Sequence, residues 1–140
     1  MKALQGIEGH LEWAERPAPA CGDGEIRIRV AAAGLNRADV LQRGGHYPPP
    51  AGVTDILGLE CAGVVAEVSG RSRWKVGDRV CTLLAGGGMA DEVVVDARHA
   101  LPVPEGMSLH EAAVIPEVYA TAWLNLYRLG ALLAGDKVLL

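Results

Sequence analysis

Residues 24–34 read "GEIRIRVAAAG" and contain a strict alternation of apolar and charged side chains. Ile26 and Ile28 alternate with Arg27 and Arg29, which places apolar groups on one face of an extended segment and charged groups on the other. This pattern predicts a β-strand with one buried face and one face in water.

Four other stretches have a similar character, because they are short, rich in Val or partly alternating, and bounded by Gly, Pro or Asp. They are "MKALQGI" at 1–7, "AGVVAEVSG" at 62–70, "GDRVCTLL" at 77–84 and "ADEVVVD" at 90–96. Their regular spacing predicts a mainly β fold, in the form of a compact β-barrel or sandwich.

A short helix is expected directly after the strand at 24–34. Asn36 is suited to cap it, Asp39 follows three positions later, and the helix then continues through Val40 and Leu41. The glycines and prolines of "GGHYPPPAG" then end the helix and begin a long loop.

The last third of the chain predicts further helices. Ser108 and Glu111 have the spacing of a capping box, in which the two side chains satisfy free amides of a first helical turn. "EVYATAWLNLYRL", between Pro116 and Gly130, reads as a second helix. It is apolar around much of its circumference, so we expect it to be largely buried.

"AGDKVLL", residues 134–140, has the turn and apolar run of a strand about to enter a parallel sheet. A nucleotide-binding β-turn-helix unit needs a glycine-rich continuation, which these residues do not include. We therefore expect this strand to be the beginning of a unit that is not complete here.

Composition limits the possible functions. The chain has 140 residues, half of them hydrophobic, and a formal net charge of −4 with the charges mixed along the sequence. It offers neither a basic face for nucleic acid nor the ~20 consecutive apolar residues of a membrane span. Its amino terminus lacks the order of a signal peptide. We expect a cytoplasmic protein without nucleic-acid or membrane partners.

The three cysteines, Cys21, Cys61 and Cys81, are odd in number, distant in sequence and never arranged as C-x-x-C. Neither a disulfide framework nor a cysteine-rich zinc site is indicated. We expect three reduced and mostly buried thiols.

Four stretches together resemble a known family. The chain is similar to the N-terminal GroES-like catalytic domain of the medium-chain dehydrogenase/reductase superfamily, and within it to the zinc-free quinone oxidoreductases related to zeta-crystallin. The stretches are, in order, "AGLNRADVLQRGGHYPPP", "ILGLECAGVVAEVSG", "VGDRVCTLLAGGGMADEVVV" and "LPVPEGMSLHEAAVIPEVYATAW".

The resemblance implies a mainly β fold with short helices, organised as a GroES-like partly open β-barrel over residues 1–116. Residues 117–140 then correspond to the connecting helix and first strand of an incomplete dinucleotide-binding (Rossmann) domain.

The same resemblance implies that no zinc is bound. Asn36 stands where zinc alcohol dehydrogenases have a ligand cysteine, and Leu59 stands where they have the histidine of Gly-His-Glu. An amide and a leucine cannot replace these ligands. No two residues among His46, His99 and Cys81 have the sequence spacing of metal ligands on a helix or hairpin. Ordinary loop or strand roles are therefore favoured for them.

Loss of the metal suits a substrate whose reaction with hydride is easier than the oxidation of an alcohol. A zinc ion stabilises the alkoxide formed when an alcohol is oxidised, whereas a quinone or enone is already electron-poor and accepts hydride readily. The reaction still needs a dry pocket and a hydrogen-bond donor near the oxygen on which charge develops. The resemblance assigns Asn36 and Tyr47 to catalysis, and Asn36, Tyr47 and Thr121 to contact with NADPH.

Each residue also has a simpler interpretation. Asn36 can serve only as a helix cap, although one amide can serve both roles. Tyr47 can be a packing anchor of its loop, and Thr121 can bond to its own helix backbone. Glu60 is expected to be structural. Gly86–Gly88 can form an anion-binding nest, but a hairpin connection is favoured.

The sequence thus predicts a metal-free, NADPH-dependent quinone oxidoreductase, inactive as this stretch alone and a homodimer at full length. Reduction of an enone or enoyl thioester uses the same hydride geometry and remains an alternative. A stand-alone GroES-like binding module is a third hypothesis, from a different class.

Overall fold

The computed structural model describes residues 1–7 and 9–139, which form seven strands and three short α-helices, the last continued by a π-helical segment. The strands are β1 (Lys2–Ile7), β2 (His10–Glu15), β3 (Glu25–Ala33), β4 (Glu60–Val68), β5 (Arg79–Leu83), β6 (Glu92–Asp96) and β7 (Leu101–Pro102). The helices are α1 (Arg37–Arg43), α2 (Leu109–Ala112) and α3 (Pro116–Trp123), and the π-helical segment is Leu124–Leu129.

β3 is an inner strand of a five-stranded antiparallel sheet with the order β6-β3-β4-β5-β7. Ile28 lies opposite Val65 of β4 on one side and opposite Val93 of β6 on the other. Ile26 and Ile28 are completely buried, and they pack with Val65 and Val80 in the largest apolar cluster. The alternation seen in the sequence therefore places the core on the predicted face.

β1 and β2 form a separate antiparallel hairpin. Leu4 of β1 donates its amide to the Met89 carbonyl at 2.8 Å and accepts the Leu57 amide at 3.0 Å, which attaches the hairpin to the larger sheet. The mainly β fold with short helices is confirmed. The described strands form two linked sheets and no closed barrel.

Both predicted helix starts are confirmed. α1 begins directly after Asn36, whose backbone amide donates to Asp39 Oδ2 at 2.8 Å. At α2, the Ser108 hydroxyl accepts the Glu111 amide at 3.2 Å, and Glu111 Oε2 accepts the Ser108 amide at 2.8 Å. These local interactions satisfy amides that have no partner within the helix.

Two expectations for the end of the chain were wrong. α3 and the π-helical segment are largely exposed, including Tyr119 at 68% and Leu129 at 72% of their surfaces. Residues 134–139 form a turn followed by irregular chain, so the described part of "AGDKVLL" is not a strand. Both errors have the same cause, because the described residues contain no sheet or helix layer that covers these apolar groups.

Cys61 and Cys81 are buried, and Cys21 is half-buried. All three thiols are free. Cys61 packs in the cluster of Ile28 and Val65, whereas Cys81, on the neighbouring strand, packs in a second cluster with Ala112. The expectation of three reduced, mostly buried thiols agrees with this arrangement. No helix in residues 1–7 and 9–139 has the length and apolarity needed to cross a bilayer.

Candidate functional site

An open groove of about 380 Å³ lies between the amino end of α1 and one side of α3. We call it the α1–α3 groove. It contains two of the predicted site residues, Asn36 and Thr121. Its lining is completed by Arg37, Ala38, Glu117, Val118, Ala122 and Asn125.

Asn36 is oriented by a buried carboxylate. Its side-chain Nδ2 donates to Glu60 Oε1 at 2.8 Å. Glu60 is only 2% exposed and is the first residue of β4. Because a carboxylate accepts and cannot donate hydrogen bonds, the bond also determines which way round the Asn36 amide sits.

The same carboxylate holds the other wall of the groove. Glu60 Oε2 accepts the backbone amide of Glu117 at 2.9 Å, across 57 positions of sequence. That amide lies in the first turn of α3, where Ile115 supplies no side-chain cap. A carboxylate near a helix amino terminus satisfies an otherwise free amide and interacts favourably with the helix dipole.

Gly34 makes room for this arrangement. A Cβ added there would overlap the Glu60 carboxylate, at Oε1 and Cδ. Any side chain at position 34 would therefore displace Glu60 from at least one of its two hydrogen bonds. The expectation that Glu60 is structural is incomplete, because the carboxylate joins both walls of the groove.

Asp39 links α1 to the loop before β4. It is 2% exposed, and its Oδ1 accepts the Gly58 amide at 3.1 Å while Oδ2 accepts that of Asn36. Gly58 has a φ of +106°, and a Cβ there would overlap the Met89 backbone nitrogen. Asn36 is thus supported on both sides, by Asp39 at its backbone and by Glu60 at its side chain.

The third predicted residue lies elsewhere. Tyr47 follows α1 in the proline-rich loop, is 47% exposed, and does not line the α1–α3 groove. The structure therefore brings Asn36 and Thr121 together but not Tyr47. The catalytic and cofactor roles assigned to the three residues remain predictions.

Of the six groove residues that were not predicted from the sequence, Glu117 and Asn125 are the polar ones on the side of α3. With Thr121 they form a polar stripe at intervals of four, which a helix presents along one side. Asn125 Nδ2 donates to the backbone carbonyl of Thr121 at 2.8 Å, so its side chain is held against the preceding turn. A search for polar residues at this spacing within the apolar stretch could have found them.

Two of the three amides of the glycine run are already hydrogen-bonded within the fold. The amides of Gly87 and Gly88 donate to the carbonyls of Ile56 and Gly58, at 2.8 and 3.0 Å. The run connects β5 to β6 and pairs with the loop before β4. β5 and β6 are not neighbours in the sheet, so the hairpin connection favoured from the sequence was wrong. The bonded amides of Gly87 and Gly88 give no support to the alternative of an anion-binding nest.

The metal donor set can also be compared with the structure. Leu59 is buried and Asn36 is bonded to Glu60, so neither position offers a zinc ligand of the usual kind. Within residues 1–7 and 9–139, no three His, Cys, Asp or Glu side chains converge as a metal site.

Comparisons with known proteins match this architecture. The family model described as "Alcohol dehydrogenase GroES-like domain" covers residues 22–105. The chain is 42% identical over 130 residues to the polyketide synthase GfsB of Streptomyces halstedii, a match that spans 92% of the chain and 2% of the synthase.

Two solved structures are also similar. The quinone oxidoreductase of Thermus thermophilus, solved also in complex with NADPH, superimposes with a TM-score of 0.76 at 39% identity, over 94% of this chain and 42% of that one. The JamJ enoyl reductase superimposes with a TM-score of 0.86 at 26% identity, over 96% and 44%. The chain thus spans less than half the length of these proteins.

Proposed function

The chain belongs to the alcohol dehydrogenase GroES-like domain family, and from this premise we propose that it is the substrate-side part of an NADPH-dependent quinone oxidoreductase that works without zinc. In this proposal the complete protein is a cytoplasmic homodimer, and a dinucleotide-binding domain supplies most of the contacts to NADPH. The residues described here form one wall of the site in which the nicotinamide meets its acceptor.

The observation that carries the proposal is the convergence of Asn36 and Thr121 in the α1–α3 groove. The groove offers a primary amide, a hydroxyl and a second amide from Asn125, which together match the donors and acceptors of a nicotinamide carboxamide. The lining carries one guanidinium, Arg37, and one carboxylate, Glu117, so it offers no excess of positive charge. The lining therefore fits the neutral end of the cofactor better than its phosphates.

When bound, the reduced nicotinamide supplies the hydride. The chain's own residues would orient the ring and keep water from it, while a fixed donor steadies charge that develops on the acceptor oxygen. Because Asn36 and Leu59 cannot ligate zinc, no Lewis acid is available from these two positions. An acceptor that is already electron-poor, such as a quinone, suits this donor set.

A second candidate is reduction of an enone or enoyl thioester. It is favoured by the similarity to a polyketide synthase and to the JamJ enoyl reductase. Both candidates use the same groove, since both require a nicotinamide held against an electron-poor acceptor. Rates of NADPH oxidation with a para-quinone and with an enoyl thioester, measured on the protein completed by its dinucleotide-binding domain, would distinguish them.

The groove assignment can be tested on the chain itself. We expect titration with NADPH to millimolar concentration to shift NMR signals of Asn36 and Thr121, with weak affinity because the pyrophosphate contacts lie outside these residues. Asn36→Ala should abolish the shift at Thr121. Ser108→Ala removes the cap of a different helix, α2, and Ser108 does not line the groove, so this variant serves as the control.

Two results would contradict the proposal. One is a set of NADPH-induced shifts that excludes the groove, and the other is an unchanged titration in Asn36→Ala. Tight, micromolar binding would instead show that the chain carries its own phosphate site.

A further inference from the structure

Glu60 is a nearly inaccessible carboxylate that bonds to both sides of one groove. Oε1 accepts from the Asn36 side chain at 2.8 Å, and Oε2 accepts from the Glu117 backbone at 2.9 Å. Asn36 belongs to the start of α1, and Glu117 belongs to the start of α3.

We propose that Glu60 is a positioning residue, which holds the Asn36 amide and the amino end of α3 at a fixed separation and so sets the width of the α1–α3 groove. This inference rests on the proposed function, because the width matters to catalysis only if the groove receives the nicotinamide. Glu60 itself is not a lining residue, so it acts through Asn36 and α3.

The first support is the direction of the bonds. A carboxylate has only acceptors, so it selects the rotamer in which Asn36 Nδ2 faces inward and the amide oxygen points elsewhere. A bond to a charged group also restricts the Asn36 side chain more than a bond to a neutral one does. The amide therefore has a defined orientation before any ligand arrives.

The second support is the start of α3. Glu60 supplies from a distant strand the acceptor that Ile115 cannot supply locally. If the carboxylate moves, the first turn of α3 loses this acceptor. Thr121 lies on the next turn, so its place in the groove depends on the same bond.

The third support is the space that the fold leaves for the carboxylate. Gly34 is buried and lies so close to Glu60 that a Cβ would overlap it, and the Gly34 amide donates to the Glu60 carbonyl at 3.3 Å. The backbone after β3 and the side chain of Glu60 are therefore fitted to each other. Burial of a charge without such support is costly.

The test compares Glu60→Gln with Glu111→Gln in the 140-residue chain. Glutamine keeps the shape of Glu60 but turns one acceptor into a donor, so it cannot accept from both Asn36 Nδ2 and the Glu117 amide; either one bond is lost or the Asn36 amide turns over. Glu111 also accepts amide hydrogen bonds at a helix start, but it is exposed and lies at α2. Both variants thus replace a carboxylate that accepts a backbone amide at a helix start, beside the groove in Glu60→Gln and away from it in Glu111→Gln.

In Glu60→Gln we expect the Asn36 side-chain NH₂ signals to shift, because the bond to Asn36 is lost or reversed, or the Glu117 amide to exchange about tenfold faster with solvent, because its acceptor is lost. NADPH should then no longer shift Asn36 and Thr121 together. Glu111→Gln should leave all these signals unchanged, even though its melting temperature falls. A general loss of stability would change the Asn36 and Glu117 signals to the same extent in both variants.

The proposal is overturned if Glu60→Gln leaves both the Asn36 NH₂ signals and the Glu117 exchange rate as they are in the parent. It is also overturned if Glu111→Gln changes them equally. If Glu60→Gln does not fold, the test is made on the parent chain. A Glu117 amide that exchanges with solvent at the rate of an unstructured peptide would contradict its hydrogen bond to Glu60. If the parent does not bind NADPH, the proposed function fails, while the Asn36 and Glu117 signals still report on positioning.

Discussion

The backbone amide of Gly58 donates to Oδ1 of Asp39 across 3.1 Å and thereby joins the loop before β4 to the first turn of α1. The bond is buried, since Asp39 is 2% exposed. Gly58 precedes Leu59, so the bond brings the loop that carries Leu59 beside the helix start at Asn36.

Replacing Asp39 with alanine should destabilise the chain by about 2–4 kcal/mol, because the buried Gly58 amide and the partly buried Asn36 amide lose their acceptor. Asp55→Ala is the control, since Asp55 is an exposed carboxylate paired with Arg16 and its loss should cost at most about 1 kcal/mol. Urea denaturation of both variants measures the difference. Equal losses would mean that the Asp39 bonds contribute no more than a surface ion pair.

Gly58→Ala should cost more than Gly77→Ala. Both glycines have a positive φ, +106° and +98°, so both substitutions carry the backbone penalty of about 1 kcal/mol. A Cβ at Gly58 would also overlap the Met89 nitrogen, whereas a Cβ at Gly77 meets nothing within 4 Å. Melting temperatures should therefore be clearly lower for Gly58→Ala. A matching pair of melting temperatures would contradict the close approach.

The stability of the chain should fall as the pH rises above about 9. Burial, followed by the nearby Cys81 and Glu60, raises the pKa of the Cys61 thiol from 9.0 to about 12. Above pH 9 the unfolded chain releases this proton and the folded chain keeps it, so alkali favours unfolding. The contribution is fully present below pH 9 and declines by about 1.4 kcal/mol per pH unit toward pH 12.

Urea denaturation at several pH values between about 8 and 10.5 checks this dependence. In Cys61→Ala the free energy of unfolding should decline less steeply with pH, by about 1.4 kcal/mol per pH unit, because the titrating thiol is absent. Cys21→Ala should change the slope less, since Cys21 is only half-buried, although burial and Glu67 also raise the pKa of its thiol. If the free energies of unfolding of the parent and of Cys61→Ala fell in parallel with pH, the Cys61 thiol would not be the cause of the decline.

Elemental analysis of the purified chain should find no stoichiometric zinc. The expectation rests on Asn36 and Leu59 at the two positions that would carry ligands. About one zinc per chain that survives dialysis against a chelator would exclude the metal-free mechanism.

Tyr47→Phe tests the predicted residue that lies outside the groove. In the protein completed by its dinucleotide-binding domain, loss of the hydroxyl should lower kcat/KM for a quinone by roughly ten- to a thousand-fold with the fold intact, if that hydroxyl orients the cofactor or steadies the oxyanion. Tyr127→Phe removes a hydroxyl from the exposed π-helical segment and should have no such effect. Parent-like turnover by Tyr47→Phe would make this tyrosine a packing anchor.

Sequence reasoning succeeded where a feature is encoded by neighbouring residues. The alternation around Ile28 located the core strand, and the spacing of Ser108 and Glu111 located a helix start. β2 was missed although Leu11 and Trp13 alternate with polar residues, and the structure leaves both side chains exposed. The bond from Glu60 to Glu117 spans 57 positions and leaves no local pattern, so only the folded chain reveals it.

The error in α3 has a different origin. Periodicity indicates that apolar residues such as Tyr119 and Leu129 need to be covered, but it does not say which part of a protein covers them. Their exposure in the described chain therefore marks the limit of a prediction from pattern alone.

The place of β3 between β4 and β6 affects how the chain is made. During synthesis from the amino terminus, β4 emerges first and pairs with one edge of β3. The other edge stays open until residues 92–96 leave the ribosome. A nascent chain halted before β6 thus presents an unpaired strand edge to its neighbours, which is the form in which antiparallel sheets associate between molecules. We expect translation that pauses between β5 and β6 to increase aggregation of this chain more than a pause after β7.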